Sequence, residues 1–151
     1  MTALAETLQR LQADLGLLDD DWWLIGSAAL VLNGVELATI GDVDLLTTPA
    51  AARRLAKQWG CDVRAPGSDA LFRSEVYFQR TETPLPVDVM AGFQVKNGGD
   101  WRPVWPRTRV AIRSSGGVYY TPSRAELLDL LVLFDRPKDR ERATLQRALP
   151  N

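Results

Sequence analysis

Asp42 and Asp44 stand two residues apart in Gly41-Asp42-Val43-Asp44-Leu45-Leu46, a carboxylate pair set among apolar side chains. In an extended strand such positions face the same way, roughly 6–7 Å apart. Two like charges at that distance repel by about 2–3 kcal/mol at an effective dielectric near 20. Val43, Leu45 and Leu46 predict a strand embedded in a core, so the pair calls for basic side chains or a bound cation. Asp88 repeats the pattern as a lone carboxylate in Val87-Asp88-Val89-Met90. If the two strands are neighbours, Asp42, Asp44 and Asp88 share one sheet face and make a natural site for one or two Mg²⁺ ions. The bland reading of Asp88 is an ion pair with Arg73, Arg80, Arg109 or Arg113.

Gly26-Ser27 supplies a second half. It follows the apolar run Trp22 to Ile25 and precedes a short apolar helix. Glycine lets a phosphate approach the backbone, and the Ser27 hydroxyl joins the free N–H groups of the helix start. A phosphate cradle facing a metal-binding carboxylate cluster meets the needs of phosphoryl or nucleotidyl transfer, where positioning and charge neutralisation dominate.

Composition narrows the chemistry further. The chain has no histidine, which removes Ser-His-Asp catalysis, His-ligated zinc and histidine general bases. Carboxylates as the hard ligands favour Mg²⁺, Mn²⁺ or Ca²⁺ over zinc or copper. With 151 residues and a formal net charge of −1, the expectation is one domain without an overall electrostatic case for nucleic acid. An RNA terminus guided by a local basic rim stays open as a substrate. The single Cys61 fits a reducing compartment, the N-terminus lacks signal-peptide character, and no apolar run is long enough to span a bilayer. The expectation is a cytoplasmic protein with no membrane association.

The remaining elements must position those residues. Leu4, Leu8, Leu11 and Leu15 predict an amphipathic helix ending near Gly16, with Thr2 as its N-cap. Trp22 to Ile25 is a strand, and the strand carrying Asp42 and Asp44 follows the short helix. Pro49 opens a helix that Gly60 stops. Cys61 to Ala65, Ala70 to Arg80 and Leu85 to Ala91 read as strands, with turns at Pro66-Gly67-Ser68-Asp69 and Thr81 to Pro86. Asn97 to Asp100 reads as a loop leading into an irregular Trp- and Pro-rich stretch. Trp101 and Trp105 there either stack on a base or sugar or cover the sheet edge. Val110 to Ser114 and Val118 to Thr121 pair as a hairpin. Ser123 and Glu126 have capping-box spacing at the head of a helix, and Pro137 starts the last one. Arg136, Lys138, Arg140 and Arg142 form a basic run that either meets phosphate or RNA or, flanked by Asp135 and Asp139, is a solvated, salt-bridged face, the reading the flanking acids favour. Asp139 caps that helix or pairs locally. The order implies an α+β domain, a mixed β-sheet with flanking helices, with a core over 22–121 and C-terminal helices over 122–149 in one unit, 1–151.

Ile25-Gly26-Ser27, a short helix, Asp42 to Leu45, then Val87-Asp88-Val89 resembles the DNA-polymerase-β-like nucleotidyltransferase superfamily. The tail from Thr121-Pro122-Ser123 to Arg136-Pro137-Lys138-Asp139 is similar to the end of small bacterial members, the abortive-infection and aminoglycoside-nucleotidyltransferase-like groups. The resemblance implies a metal-dependent nucleotidyltransferase that moves an NMP from an NTP to an acceptor hydroxyl on a small molecule, a protein or an RNA end. Gly26 and Ser27 would hold the triphosphate. Asp42 and Asp44 would bind Mg²⁺ (or Mn²⁺), and Asp88 would complete the metal site or serve as general base. Relatives carry a basic residue where Glu36-Leu37 stands, and a lysine in the helix before Arg136. The gap between Ser27 and Asp42 is also longer than usual. Arg53, Arg73 or Arg136 are the available compensation for the missing charges. The same departures fit a second reading, an inactive nucleotidyltransferase-fold module acting as a nucleotide sensor or as the partner of a toxin-like protein.

Overall fold

A computed structural model describes residues 1–64 and 69–150. The first helix, α1 (Ala3–Gly16), is capped by Thr2, whose hydroxyl accepts from the Ala5 N–H at 3.0 Å, and it buries the leucine stripe. Strand β1 (Trp22–Ile25) runs straight into helix α2 (Gly26–Leu32), so the expected Gly-Ser turn is itself the first turn of helix. Strand β2 (Val43–Thr47) begins one residue after Asp42. Helix α3 (Pro49–Trp59) is capped by Thr48 and stopped by Gly60 in the left-handed region.

Between α3 and the next strands the chain departs from the expected pattern. Cys61 to Arg64 is not a strand, although the Arg64 N–H donates to the Tyr77 carbonyl at 2.9 Å. The turn expected at Pro66-Gly67-Ser68-Asp69 lies, apart from Asp69, outside the described residues. The single strand expected over Ala70 to Arg80 is two, β3 (Phe72–Arg73) and β4 (Val76–Arg80). The reason lies in their partners. Strand β5 (Val87–Ala91) pairs with β4, and β6 (Gln94–Asn97) pairs with β3, so both segments change sheets at the same place. Gly92 (φ +59°) turns one of them, and a Cβ there would lie 2.7 Å from the Glu75 Cβ on the other. Sequence periodicity does not register such a change of partner.

Strand β7 (Asp100–Pro103) answers β6 across Gly98-Gly99, so the loop expected at Asn97 to Asp100 is a hairpin and the Trp-Pro stretch starts as a strand. Strands β8 (Val110–Ser114) and β9 (Gly117–Thr121) form the expected hairpin. Helix α4 (Arg124–Phe134) receives half of its expected capping box. Ser123 Oγ accepts from the Glu126 N–H, but the Glu126 carboxylate accepts from the Arg107 and Thr108 N–H groups instead of the Ser123 N–H. Helix α5 (Pro137–Arg147) follows after Asp135 in the left-handed region. Among the described residues no helix is long and apolar enough to cross a membrane.

The main sheet has the order β1-β2-β5-β4, with β2 and β5 parallel and the two outer pairings antiparallel. This is the mixed α+β architecture expected from the sequence. One face packs Leu24, Val43, Leu45, Val87, Val89 and Phe78 against α1, α3 and Tyr119. The other face is organised in cross-strand rows. One row, Trp23-Leu46-Met90-Tyr77, is mostly apolar and is covered by Phe93, Val95 and the Leu130, Leu133 and Phe134 side chains of α4. The next row is Ile25-Asp44-Asp88-Gln79. Helix α4 uses Leu127 and Leu131 to pack on Ala29 and Leu30 of α2 and Ala143 of α5, which suspends α5 beside that row.

Candidate active site

The register places the carboxylates. Asp44 is paired directly with Asp88 across the parallel β2–β5 ladder, and Asp42 precedes Asp44 on the same face. Each of the three residues brings a carboxylate oxygen within 4.8 Å of the other two. Among the described residues no lysine or arginine lies within 4.0 Å of these carboxylates. Of the four arginines that the sequence offered as partners of Asp88, Arg113 lies in the β8–β9 hairpin and the other three meet different groups. Arg80 lies over Trp59, Arg73 over Trp101, and Arg109 over Tyr120 while also pairing with Asp21. Asp88, 9% exposed, is held by neutral donors from β4. The Tyr77 hydroxyl donates at 2.5 Å and the Gln79 amide at 3.0 Å, both to Oδ1. Its Oδ2 receives neither of those donors.

The charge balance follows from this geometry. Burial, then the charges of Asp42 and Asp88, push Asp44 up from the usual carboxylate range to about 7, against the pull of Lys138 and Arg136. Burial first, and Asp88 second, also raise Asp42, opposed by Lys138 and Arg142. Near neutral pH the protein by itself does not hold this cluster fully ionised. Burial, and the hydrogen bond to Asp88, raise the Tyr77 phenol far above its ordinary value, so Tyr77 stays a donor.

Gly26 is fixed by the same carboxylates. Its φ is +65°, and a Cβ on it would collide with Asp44 Oδ2 and lie 3.4 Å from the Asp44 Cγ. Glycine is needed here because Asp44, paired to Ile25 in register, occupies the space over the start of α2. Ser27, 6% exposed, lies beside it. Gly26, Ser27, Asp42, Asp44 and Asp88 all line one open cleft of about 480 Å³. The sequence-derived site residues thus converge.

Other contributors were not visible as such in the sequence. Tyr77 and Gln79, read as part of a plain strand, fix Asp88. Their alternation with buried Val76 and Phe78 is the signal that they share a polar face. Lys138, itself exposed, and Arg142 line the cleft with Arg136, the part of this basic run that the phosphate-contact alternative concerns. Arg140, paired with Asp135 at 2.8 Å, and Arg136, paired with Asp139, are salt-bridged as expected. Lys138 and Arg142 are four apart, hence on one side of a helix, and that spacing was the available clue. Asp139 is both cap and ion-pair partner. It accepts from the Arg136 backbone N–H at 3.1 Å and from its guanidinium at 2.6 and 3.1 Å, while only 1% exposed. Of the compensating cations named from sequence, Arg73 and Arg136 line the cleft. Arg53 belongs to α3, on the opposite face of the sheet. Trp101 and Trp105 are not among the lining residues; Trp105 instead meets Trp23 edge-on at 4.7 Å.

No protein-family model matches the chain, and no curated protein sequence matches it. Solved structures do. A Thermotoga maritima protein provisionally assigned as a nucleotidyltransferase superposes with a TM-score of 0.74 at 16% identity, over 93% of this chain and 88% of the other. The lincosamide antibiotic adenylyltransferase LnuA, solved with lincomycin, gives 0.62 at 12% identity over 95% and 96%. The adenylyltransferase ANT(2″)-Ia, solved with adenylyl-2″-tobramycin, gives 0.53 at 13% identity over 93% and 83%. At these identities the likeness speaks for the backbone, and the chain has the nucleotidyltransferase-like fold.

Proposed function

We propose that this protein is a metal-dependent nucleotidyltransferase that transfers an NMP from an NTP to an acceptor hydroxyl and releases pyrophosphate. The observation that carries this reading is the convergence of three carboxylates, within 4.8 Å of one another, beside Gly26 and Ser27 in an open cleft. The donor set is all hard oxygen and fits Mg²⁺ or Mn²⁺. A divalent cation also answers the burial and the neighbouring charges that raise Asp44 to about 7. When bound, the metal supplies charge neutralisation at the phosphates.

The chain's own residues do the rest. Gly26 and Ser27 offer backbone and hydroxyl contacts to the triphosphate. Lys138 and Arg142, with Arg136 beside them, place positive charge where negative charge builds on the leaving pyrophosphate. Asp88, its Oδ1 held by Tyr77 and Gln79, presents Oδ2 as metal ligand or as acceptor of the nucleophile's proton. The acceptor oxygen bonds to the α-phosphorus as the bond to pyrophosphate breaks. The inactive-module reading rests on missing basic residues; Arg142 of α5 lines the cleft beside Lys138 and Arg136 and is the added positive charge that argues against it. Both the core over 22–121 and the helices over 122–149 furnish the cleft, so we take 1–151 as one working unit.

Calorimetric titration of ATP, GTP, CTP and UTP with Mg²⁺, on wild type and on Asp42→Ala/Asp44→Ala, tests this. Binding is expected only with metal and with both carboxylates present. A folded wild-type protein that binds no nucleotide would return the inactive module as the better reading.

A further inference from the structure

We propose that the acceptor side of the cleft is an anion site built on Arg64 and Arg73, so that the acceptor is an alcohol carrying a phosphate group. This rests on the nucleotidyl-transfer reading above and adds the acceptor's chemistry to it. The cross-strand row gives the cleft its two sides. Gly26 and Ser27 follow β1, Asp44 is on β2, Asp88 on β5, and Gln79 and Tyr77 on β4. Lys138 and Arg142 of α5 line the same cleft. Arg64, whose N–H donates to the Tyr77 carbonyl, flanks β4 on the side of Asp88 away from β2, and Arg73 lines the same cleft from β3.

Both arginines are oriented without being neutralised. The Arg64 guanidinium lies 5.3 Å over the ring of Tyr77, the residue that holds Asp88. Arg73 lies 4.4 Å over Trp101, which Lys96 approaches to 5.9 Å, and its Nε donates to Gln94 Oε1. Among the described residues, neither arginine has a carboxylate within 4.0 Å. The carboxylate of Asp69, which also lines the cleft, accepts from the Leu71 and Phe72 N–H groups at 2.7 and 2.6 Å and serves the turn. Stacking on an aromatic face fixes a guanidinium plane while leaving N–H donors on its edge for a bidentate oxyanion. A phosphate seated there would bring a nearby hydroxyl toward Asp88. A polycationic acceptor would meet two like charges instead.

The test loads the protein with Mg²⁺ and the α,β-methylene analogue of whichever NTP binds. Glycerol 3-phosphate, glycerol, glucosamine and an RNA trinucleotide with a free 3′-hydroxyl are then titrated. The expected result is binding of a phosphate-bearing probe that weakens with added salt, falls at least tenfold in R64A/R73A and is only partly restored in R64K/R73K, which keeps the charge and loses the planar fork. The monoester and trinucleotide arms distinguish a free phosphate from a phosphodiester source. Glycerol or glucosamine binding as tightly as both phosphate probes would overturn the proposal, as would no binding of either probe or an undiminished affinity in R64A/R73A. Failure of every Mg²⁺–nucleotide analogue to bind would refute the underlying transferase reading, and this one with it. Both arginines are exposed, so loss of the fold is not expected to obscure the result.

Discussion

Asp44→Asn should stabilise the metal-free protein at neutral pH while abolishing transfer. Burial and the neighbouring carboxylates raise Asp44 from 3.8 to about 7 in the folded state. The folded chain therefore holds this proton more tightly than the unfolded chain. Stability then falls as pH rises from about 4 to about 7 and levels off above that. A difference of roughly three pH units corresponds to about 4 kcal/mol at the plateau, an upper bound once relaxation is allowed. Asparagine keeps the shape over Gly26 and carries no charge, so it removes the penalty. For a chain of this size the expected gain is about 8–16 °C in Tm at that bound. The assay is thermal unfolding of wild type and Asp44→Asn in EDTA from pH 5 to 8.5. The difference between them should grow with pH and then flatten. Added Mg²⁺ should raise the wild-type Tm and leave Asp44→Asn nearly unmoved, because binding of the cation favours the ionised cluster. Equal Tm values at pH 8, or a difference that ignores pH, would refute the electrostatic account of this site.

Gly26→Ala should destabilise by more than about 1 kcal/mol, since the residue has φ +65° and its Cβ would strike the Asp44 carboxylate; denaturant unfolding reads this directly, and Mg²⁺ binding should weaken with it. Lys138→Ala and Arg142→Ala should each raise the dissociation constant for the Mg²⁺–nucleotide complex about tenfold or more, with little change in Tm, and calorimetry separates that from a folding defect. Asp139→Ala should cost about 2–3 kcal/mol, because it strips the cap of α5 and leaves Arg136 without its bidentate partner; urea unfolding measures it, and nucleotide affinity should fall as Lys138 loses its fixed position.

Local patterns that carry their own cause were legible in the chain itself. Thr2 and Gly60 mark helix ends by side-chain chemistry and backbone freedom. Asp42, Asp44 and Asp88 declared themselves because carboxylates among apolar strand residues need an explanation. The sequence also implied their meeting, conditional on two strands being neighbours. Whether β2 and β5 pair, and that Asp44 pairs with Asp88 rather than with a residue one step along, depends on contacts between segments far apart in the chain. A slip of one residue would have turned Asp88 into the opposite core. The split of β3 from β4 at Glu75 opposite Gly92 is likewise a property of two segments at once.

The residue types and short spacings of the sequence determined what chemistry this protein has to offer: hard carboxylates, a Gly-Ser cradle, no histidine. Tertiary structure alone decided where the positive charge goes. In the sequence Lys138 and Arg142 fit a solvated helix face or a phosphate contact, and the choice is made only when α4 and α2 pack with Ala143 and set α5 beside the carboxylates. Charge acts through space, across distances that sequence spacing does not encode, and only the packed helices fix those distances.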